Sequence, residues 1–314
     1  MLGQDHPRLL KVLTGLTPGW TGKLWAQSQG VTLAGEGPSP PDYLLLTDAD
    51  IAHDAGNLRA LVSRAEAGGL VLTSLMAKLT TATWPERLLI PAFVFFFDML
   101  YPFAWVNDPR RRTAAAAGGV MLVRREALGA AGGLAAIRGR IIDDCSLGAL
   151  MKRQGPIWLG LTERARSLRP YAGFDEIARM VSRSAYAQLN FSPWLLAGTL
   201  AGLFIVYLAA PLLTLFAHGP AQAMGAAAWA AMAVAFQPML RLYRRSPLWG
   251  LALPAIGALY AGFTLRSAVE HWQGKGGMWK GRAQAMEGSA PAEDPFGTVI
   301  GSKSKVDRRA STDV

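Results

Sequence analysis

Twenty-five consecutive residues, Pro193 to Ala217 (PWLLAGTLAGLFIVYLAAPLLTLFA), carry no charged side chain. A helix rises about 1.5 Å per residue and a hydrocarbon core is about 30 Å thick, so a run of this length crosses one. Ala221 to Leu240 is a second such run, rich in Ala and Met. Pro247 to Leu265 is a third, shorter and interrupted by Pro254. Ordinary buried helices are not this long. The succession predicts a transmembrane region over 193–265 in preference to an all-helical soluble core.

Composition agrees. Only 17% of the 314 residues are charged and 51% are hydrophobic, where soluble domains average about 25% charge. That excludes an intrinsically disordered chain. The single cysteine, Cys145, excludes a disulfide scaffold and a Cys-rich zinc site. The net charge of +10 suits an anionic cytoplasmic leaflet, and no nucleic-acid motif accompanies it, so nucleic acid is not an expected partner.

The loops give an orientation. His218 to Pro220 has no Lys or Arg, whereas Arg241, Arg244 and Arg245 lie between the second and third runs. The positive-inside rule then places that second loop and the N-terminal domain in the cytoplasm of a multi-pass inner-membrane protein. Three full crossings would leave Arg266, Lys275, Lys280 and Arg282 outside. Either the third run re-enters, or the spans begin elsewhere, or the rule fails. Leu88 to Val106 is a further apolar stretch, broken by Asp98 and two prolines, that suits either the membrane interface or a buried core. Met1 to Gly30 lacks the pattern of a signal peptide. From about Glu287 the chain reads as a disordered tail.

Residues 1–192 read as a water-facing α/β domain. Tyr43 to Leu46 is a short apolar strand ending in Thr47-Asp48-Ala49-Asp50. Two carboxylates one residue apart can converge on a hard cation such as Mg²⁺ or Mn²⁺, whose remaining ligands come from a diphosphate and water. Short acidic pairs also cap helices, and Asp54 is a credible cap for a helix over Asn57 to Ala67. Gly69 to Ser74 is the next strand, and Gly118-Gly119 leads into another over Val120 to Val123. Those glycines allow close approach of a ligand or of packing partners. Asp143-Asp144 opens a helix over Cys145 to Gln154. Adjacent carboxylates repel, which raises the pKa of one of them, and a carboxylate at a helix start facing a cleft can serve as a general base; alternatively Asp143 or Asp144 merely caps the helix, a reading as good as the other for Asp143. Arg179 and Arg183 share a helix face just before the first apolar run, aimed at a diphosphate or at lipid phosphates.

Gly22-Lys23, TDAD at 47–50, Gly118-Gly119, DD-x-x-LG at 143–148, an Arg before the membrane, apolar spans and Trp279-Lys280-Gly281-Arg282 follow one another in that order. The order resembles membrane-bound family 2 glycosyltransferases of GT-A (Rossmann-like) fold. PGWTGKLWAQSQG at 18–30 and the WKGR look most like the hopanoid-biosynthesis-associated (hopene-associated) branch, with ceramide glucosyltransferase a more distant relative. The resemblance implies that Asp48 and Asp50 bind the diphosphate of a nucleotide-sugar, a UDP-sugar, through a divalent metal. Lys23, Gly118 and Gly119 complete the expected donor contacts. Asp144 matches the base that deprotonates the acceptor, with Asp143 where Glu is usual. Arg183 matches the Arg of the Q-x-x-R-W motif, in which Met180 and Ser184 replace Gln and Trp. That motif marks processive synthases, so its loss implies transfer of one sugar to a lipid-like acceptor.

The family also opens with an apolar strand, a P-x-x-N-E type turn and an acidic contact to the nucleotide base, none of which occurs in Met1 to Thr17. The expected architecture is therefore a GT-A domain truncated at its N-terminus (1–192), about three transmembrane helices (193–265), and a basic juxtamembrane segment with a tail (266–314). A fragment, a mis-started reading frame or a degenerate protein would each account for it. The expectation for residues 1–314 alone is poor UDP-sugar binding and no transfer. The competing function is a non-catalytic membrane protein that keeps the fold. A transporter is disfavoured because the runs lack charged residues.

Overall fold

The computed structural model describes residues 15–275 and two short paired strands, Met278–Trp279 and Arg282–Ala283. The other expectations for the tail, and the side chains of Trp279-Lys280-Gly281-Arg282, lie outside the described residues. The elements of the domain are α1 (Gly22–Gly35), β1 (Tyr43–Thr47), β2 (Ile51–His53), α2 (Asn57–Gly68), β3 (Leu72–Lys78), α3 (Trp84–Leu100), α4 (Phe103–Asn107), β4 (Val120–Arg124), α5 (Arg125–Ala130), α6 (Asp143–Lys152), β5 (Ile157–Ser167) and α7 (Phe174–Gln188). The apolar region follows as α8 (Pro193–Leu203), α9 (Ala209–Phe216), α10 (Pro220–Ala235), α11 (Gln237–Leu242) and α12 (Leu253–Trp272).

Alternation along the strands builds two packed layers. Leu44, Leu46, Leu72, Met76, Met121 and Val123 face the main core with α3 and α6. Their neighbours Leu75, Ala77, Val120 and Leu122 face the other way, onto Leu61 and Ala65 of α2. β3, covered on both faces, is buried from Leu72 to Ala77, with Thr73 and Ser74 among its buried residues. The sheet order is β1-β4-β3-β5-β2. Only β3 and β5 run parallel; β1–β4, β3–β4 and β2–β5 are antiparallel. This corrects the mostly parallel sheet that the resemblance to a Rossmann-like GT-A fold implies: only the long connection from β3 to β5, which includes β4, is a parallel crossover, and every other pair of neighbours is antiparallel. β1 lies at the edge of the described sheet, yet its apolar side chains are covered, with Leu44 and Leu46 buried.

Two local expectations also change. Asp54 does not cap α2 with its side chain; Gly56 is the cap residue, and the turn is closed by the Asn57 N–H donating to the Asp54 carbonyl. The Leu88–Val106 stretch divides between its two readings. Leu89, Ile90, Ala92 and Val94 are fully buried, whereas Met99, Leu100 and Trp105 are exposed. Phe95 meets Phe236 (ring centroids 5.2 Å apart), and Phe96 meets Tyr207 (5.6 Å) and Tyr260 (4.6 Å), so α3 packs against the apolar region.

Three helices in that region are long and apolar enough to cross a membrane: Pro193–Phe216, Pro220–Leu242 and Pro247–Trp272. Ser192 caps the first, its hydroxyl accepting from the Leu195 N–H, with Pro193 in the first turn where no N–H is missed. Phe204, Ile205, Leu215 and Phe216 are exposed on it, as expected of side chains that face lipid.

The start of α3 is fixed by a capping box, in which Thr83 receives the Glu86 N–H and Glu86 receives the Thr83 N–H. Glu86 is fully buried and also accepts from Thr80 Oγ1 (2.6 Å), Ala82 N (2.7 Å) and Tyr171 N (2.8 Å), tying β3, α3 and the lead into α7 together. Burial pushes its carboxyl pKa up, but these bonds to the charged form outweigh that and hold it below the usual glutamate value. A lowered folded pKa stabilises the protein above the unfolded pKa and is lost as pH falls through the folded one. Glu86→Ala is expected to cost about 3 kcal/mol or more by orphaning several donors. Thermal melts in detergent should show this loss at pH 7 and a narrowing gap from wild type under strongly acidic conditions.

Candidate active site

β1 delivers Asp48 and Asp50 into a tight turn, closed by the Ile51 N–H donating to the Asp48 carbonyl, before β2 begins. The turn splits the two carboxylates between different surroundings. Asp48 faces α1 and α6: Lys23 Nζ lies 2.9 Å from Asp48 Oδ1 and 3.0 Å from Asp143 Oδ2. Asp50 faces the end of β5, where Ser167 Oγ donates to its Oδ2 at 3.3 Å and the Leu168 N–H donates to its carbonyl at 2.7 Å.

Thr21 caps α1 and sets the register that points Lys23 at the acidic residues. Asp143 and Asp144 occupy the first turn of α6, where the helix dipole favours negative charge. Neither is the cap residue; that place belongs to Ile142. Asp144 Oδ2 accepts from the Gly118 N–H at 3.0 Å, and its Oδ1 accepts from the Cys145 N–H at 2.8 Å. Burial and the neighbouring Asp143 push the Asp144 pKa above the usual aspartate value, against the opposing pull of Lys23 and the two N–H groups. Burial alone would lower the Lys23 pKa, yet the charges of Asp143, Asp48 and Asp144 raise it above the usual lysine value. The ammonium therefore stays charged across the neutral range, balancing three carboxylates.

The two glycines differ in purpose. A Cβ on Gly118 would lie 2.9 Å from Lys23 Nζ and 3.3 Å from Asp144 Oδ2, so the missing side chain makes room for this cluster. A Cβ on Gly119 would meet Ala77 at 3.1 Å, and its carbonyl receives Thr47 Oγ1 at 2.7 Å, so Gly119 serves packing between strands.

The structure thus brings Lys23, Asp48, Gly118 and Asp144 together and adds Asp143 as an ion-pair partner. Arg183 is half-buried on α7. Its charge and that of Asp50 both act on Tyr171, whose hydroxyl donates to Met180 Sδ at 2.8 Å. Asp50 and Arg183 are thus both near enough to Tyr171 for their charges to act on it.

Three participants escaped the sequence reading. Tyr101, at the end of α3, receives Gln188 Nε2 of α7 at 2.6 Å and lies against Cys145, so the Asp144 helix adjoins the helix that packs on the apolar region. Burial pushes the Cys145 thiol up, which makes it a packed apolar group and not a nucleophile. His53 bridges Thr47 Oγ1 (3.0 Å) and Asn57 Nδ2 (2.9 Å) and stiffens the base of the turn. The Thr83-x-x-Glu86 spacing is the one sequence signal among these features that marked a structural device.

Gly148, in the DD-x-x-LG segment, is where α6 touches the chain leading to Gly118. A Cβ there would lie 2.6 Å from the Ala115 carbonyl carbon, a backbone atom that cannot swing aside. Gly148→Ala is expected to destabilise by about 1–3 kcal/mol, the usual cost of overpacking, measured as a drop in Tm.

The Asp48 and Asp50 carboxylates are oxygen donors of the kind a hard divalent cation takes, with Lys23 on the first and Ser167 on the second. Among the described residues no three His, Cys, Asp or Glu side chains converge, so a bound ion would need further ligands from substrate and water. No curated protein matches the chain. The sequence profile of glycosyl transferase family 21 matches residues 37–270. With three quarters of its length inside that match, and an acidic turn set beside a membrane-packed helix, the chain belongs to glycosyl transferase family 21.

Proposed function

We propose that the protein is a membrane-anchored inverting glycosyltransferase that moves one sugar from a UDP-sugar to a lipid-like acceptor, hopanoid or sphingolipid-like in character. The reading places a family 2-like GT-A domain on the cytoplasmic side. One observation supports it most: the Asp144 cluster adjoins Tyr101, at the end of the helix whose Phe95 and Phe96 pack on the apolar region. An acceptor with an apolar body and a terminal hydroxyl can then remain in lipid while its hydroxyl reaches the carboxylate.

In this reaction the acceptor oxygen attacks the anomeric carbon, the bond from that carbon to the diphosphate oxygen breaks, and Asp144 takes the hydroxyl proton. The raised Asp144 pKa suits a base that must hold that proton. A divalent cation bound by Asp48 and Asp50 would supply charge neutralisation for the departing diphosphate. Lys23 and Arg183 are cations fixed on either side of the turn, and Lys23 already occupies one cation position between Asp48 and Asp143. Tyr101, held by Gln188, lies between the Asp144 helix and α7, which packs on the apolar region. The substitution of Gln and Trp in the Arg183 motif fits transfer of a single sugar.

In the active enzyme, Asp144→Asn is expected to abolish turnover while leaving donor binding intact, and Asp50→Asn to weaken donor binding as well. Parallel transfer assays and donor titrations separate the two; normal turnover in either variant removes that residue from its role. The base works deprotonated, so activity should rise with pH along a limb lying above the ordinary aspartate pKa of about 3.9. Lys23→Met should move that limb further up, because Lys23 opposes the rise.

Lys23 also competes for Asp48. Calorimetric titration of the chain with Mn²⁺ in the absence of donor is expected to show tighter binding in Lys23→Met than in wild type. Equal or weaker binding would mean that Asp48 is not a metal ligand.

A further inference from the structure

We propose that the third apolar segment, Pro247–Trp272, does not cross the bilayer: it dips into the leaflet next to the sheet domain and returns to the same side. The apolar region then consists of two crossings and one re-entrant loop.

Phe95 and Phe96 are consecutive residues of α3. Phe95 touches Phe236, before the segment begins, and Phe96 touches Tyr260, well inside it. The chain has therefore left this level and come back to it. As one straight helix the segment's 26 residues would extend about 39 Å.

The outward limb is the tight helical turn Pro247–Ala252, which runs back along the second span. Gln237 Nε2 donates to the Pro247 carbonyl and Trp229 Nε1 donates to the Leu251 carbonyl, both at 3.1 Å. A Cβ on Gly250 would lie 2.8 Å from the Ala233 carbonyl oxygen, so the limb packs backbone against backbone. The return limb is α12. Its Gly257 packs on Tyr207, with a Cβ position 2.8 Å from the ring. Tyr260 Oη donates to the Leu89 carbonyl at 2.9 Å, Ser267 Oγ receives the Tyr186 N–H at 3.0 Å, and His271 stacks on Phe191 at 4.4 Å. A short tight turn inside a membrane leaves carbonyls that need protein partners, which Gln237 and Trp229 supply to Pro247 and Leu251.

Both ends are held by charged parts of the domain. Before the segment, Arg244 takes a left-handed φ of 53° and reverses the chain; it lies 3.7 Å from Glu163, and Arg245 Nη2 donates to Thr81 Oγ1 at 3.1 Å. At the far end α12 lies along α7, which carries Asp175, Glu176, Arg179 and Arg183, and Arg266 pairs with Glu270 at 2.7 Å. A helix bearing those charges belongs at the surface and not in the opposite leaflet. On the outward limb, Leu248 and Leu251 are 74% and 52% exposed, apolar side chains offered to acyl chains. The loop also resolves the charge conflict of three crossings: Arg241, Arg244, Arg245, Arg266 and Lys275 all fall on one side.

The test is labelling of single introduced cysteines with a membrane-impermeant maleimide in sealed vesicles of each orientation. The parent chain, whose Cys145 is buried, serves as the blank. Ser63→Cys on the exposed face of α2 reports the domain side, and His218→Cys reports the hairpin between the two crossings. Ser246→Cys and Gln273→Cys are both expected to react with Ser63→Cys and opposite to His218→Cys. Gln273→Cys reacting with His218→Cys would establish a full third crossing and overturn the proposal. His218→Cys reacting on the domain side would overturn it too, by removing the two crossings. Trypsin digestion of the unmodified chain carrying a C-terminal epitope gives the same answer without substitutions: the epitope should be lost only from vesicles that expose the domain. None of these readouts depends on glycosyl transfer.

Discussion

Phe95 and Phe96 on α3 touch the second span, the first span and the third apolar segment, and the placement of everything else follows from that contact. The three apolar elements have no charge with which to select one another, and between helices in lipid the hydrophobic effect offers little. What holds them together is packing on a helix that belongs to the sheet domain. The N-terminal half of α3 is buried in that domain's core, and its aromatic half is buried among the spans. The sheet domain and the apolar region are therefore one packed body, joined through α3 and through α7, against which α12 lies, and the Glu86 hydrogen bonds tie the start of α3 to the sheet.

The acidic site poses the opposite physical problem, an excess of one charge. Asp48, Asp143 and Asp144 gather at the ends of two elements distant in sequence, and burying carboxylates together is costly unless a counter-charge accompanies them. Lys23 provides it from α1, with Gly118 leaving the space that its ammonium needs. The chain belongs to glycosyl transferase family 21, and this cluster is where the transfer chemistry is proposed. The residues nearest to it are short, acidic and attached to the first turn of a helix or the end of a strand, positions that rigid backbone holds well.

Much of the local structure was legible from the sequence, because local structure depends on neighbours in sequence. Tyr43–Thr47, α2, α6 and the two spans follow from apolar periodicity, and the start of α3 could have been read from Thr83-x-x-Glu86. Asp54 misled because a carboxylate near a helix start caps it only if the turn geometry permits, and there the backbone closed the turn first. Strand direction was not legible either. Nothing in YLLLT or VMLVR tells whether the two strands meet parallel or antiparallel, since pairing is settled by the path of the chain between them. Lys23 with Asp143, and Asp50 and Arg183 both near Tyr171, are likewise products of that path. Hydropathy fails in a further way for the third apolar segment: it measures length and composition, and a loop that enters and leaves satisfies both.

Tyr101 is where these two problems meet. Its ring is buried at the end of α3, its hydroxyl is held by Gln188 of α7, and it lies against the helix that carries Asp144. Two residues earlier, Met99 receives the Tyr207 hydroxyl of the first span at 3.0 Å. A few residues thus separate a lipid-facing contact from a charged one. Such a steep change of polarity is stable only when backbone groups on the polar side are paired, and here Asp144 accepts two N–H groups while Lys23 balances the remaining charge. A water-soluble acceptor would gain nothing from this arrangement. The acceptor proposed above, apolar at one end and hydroxylated at the other, would match it at both ends.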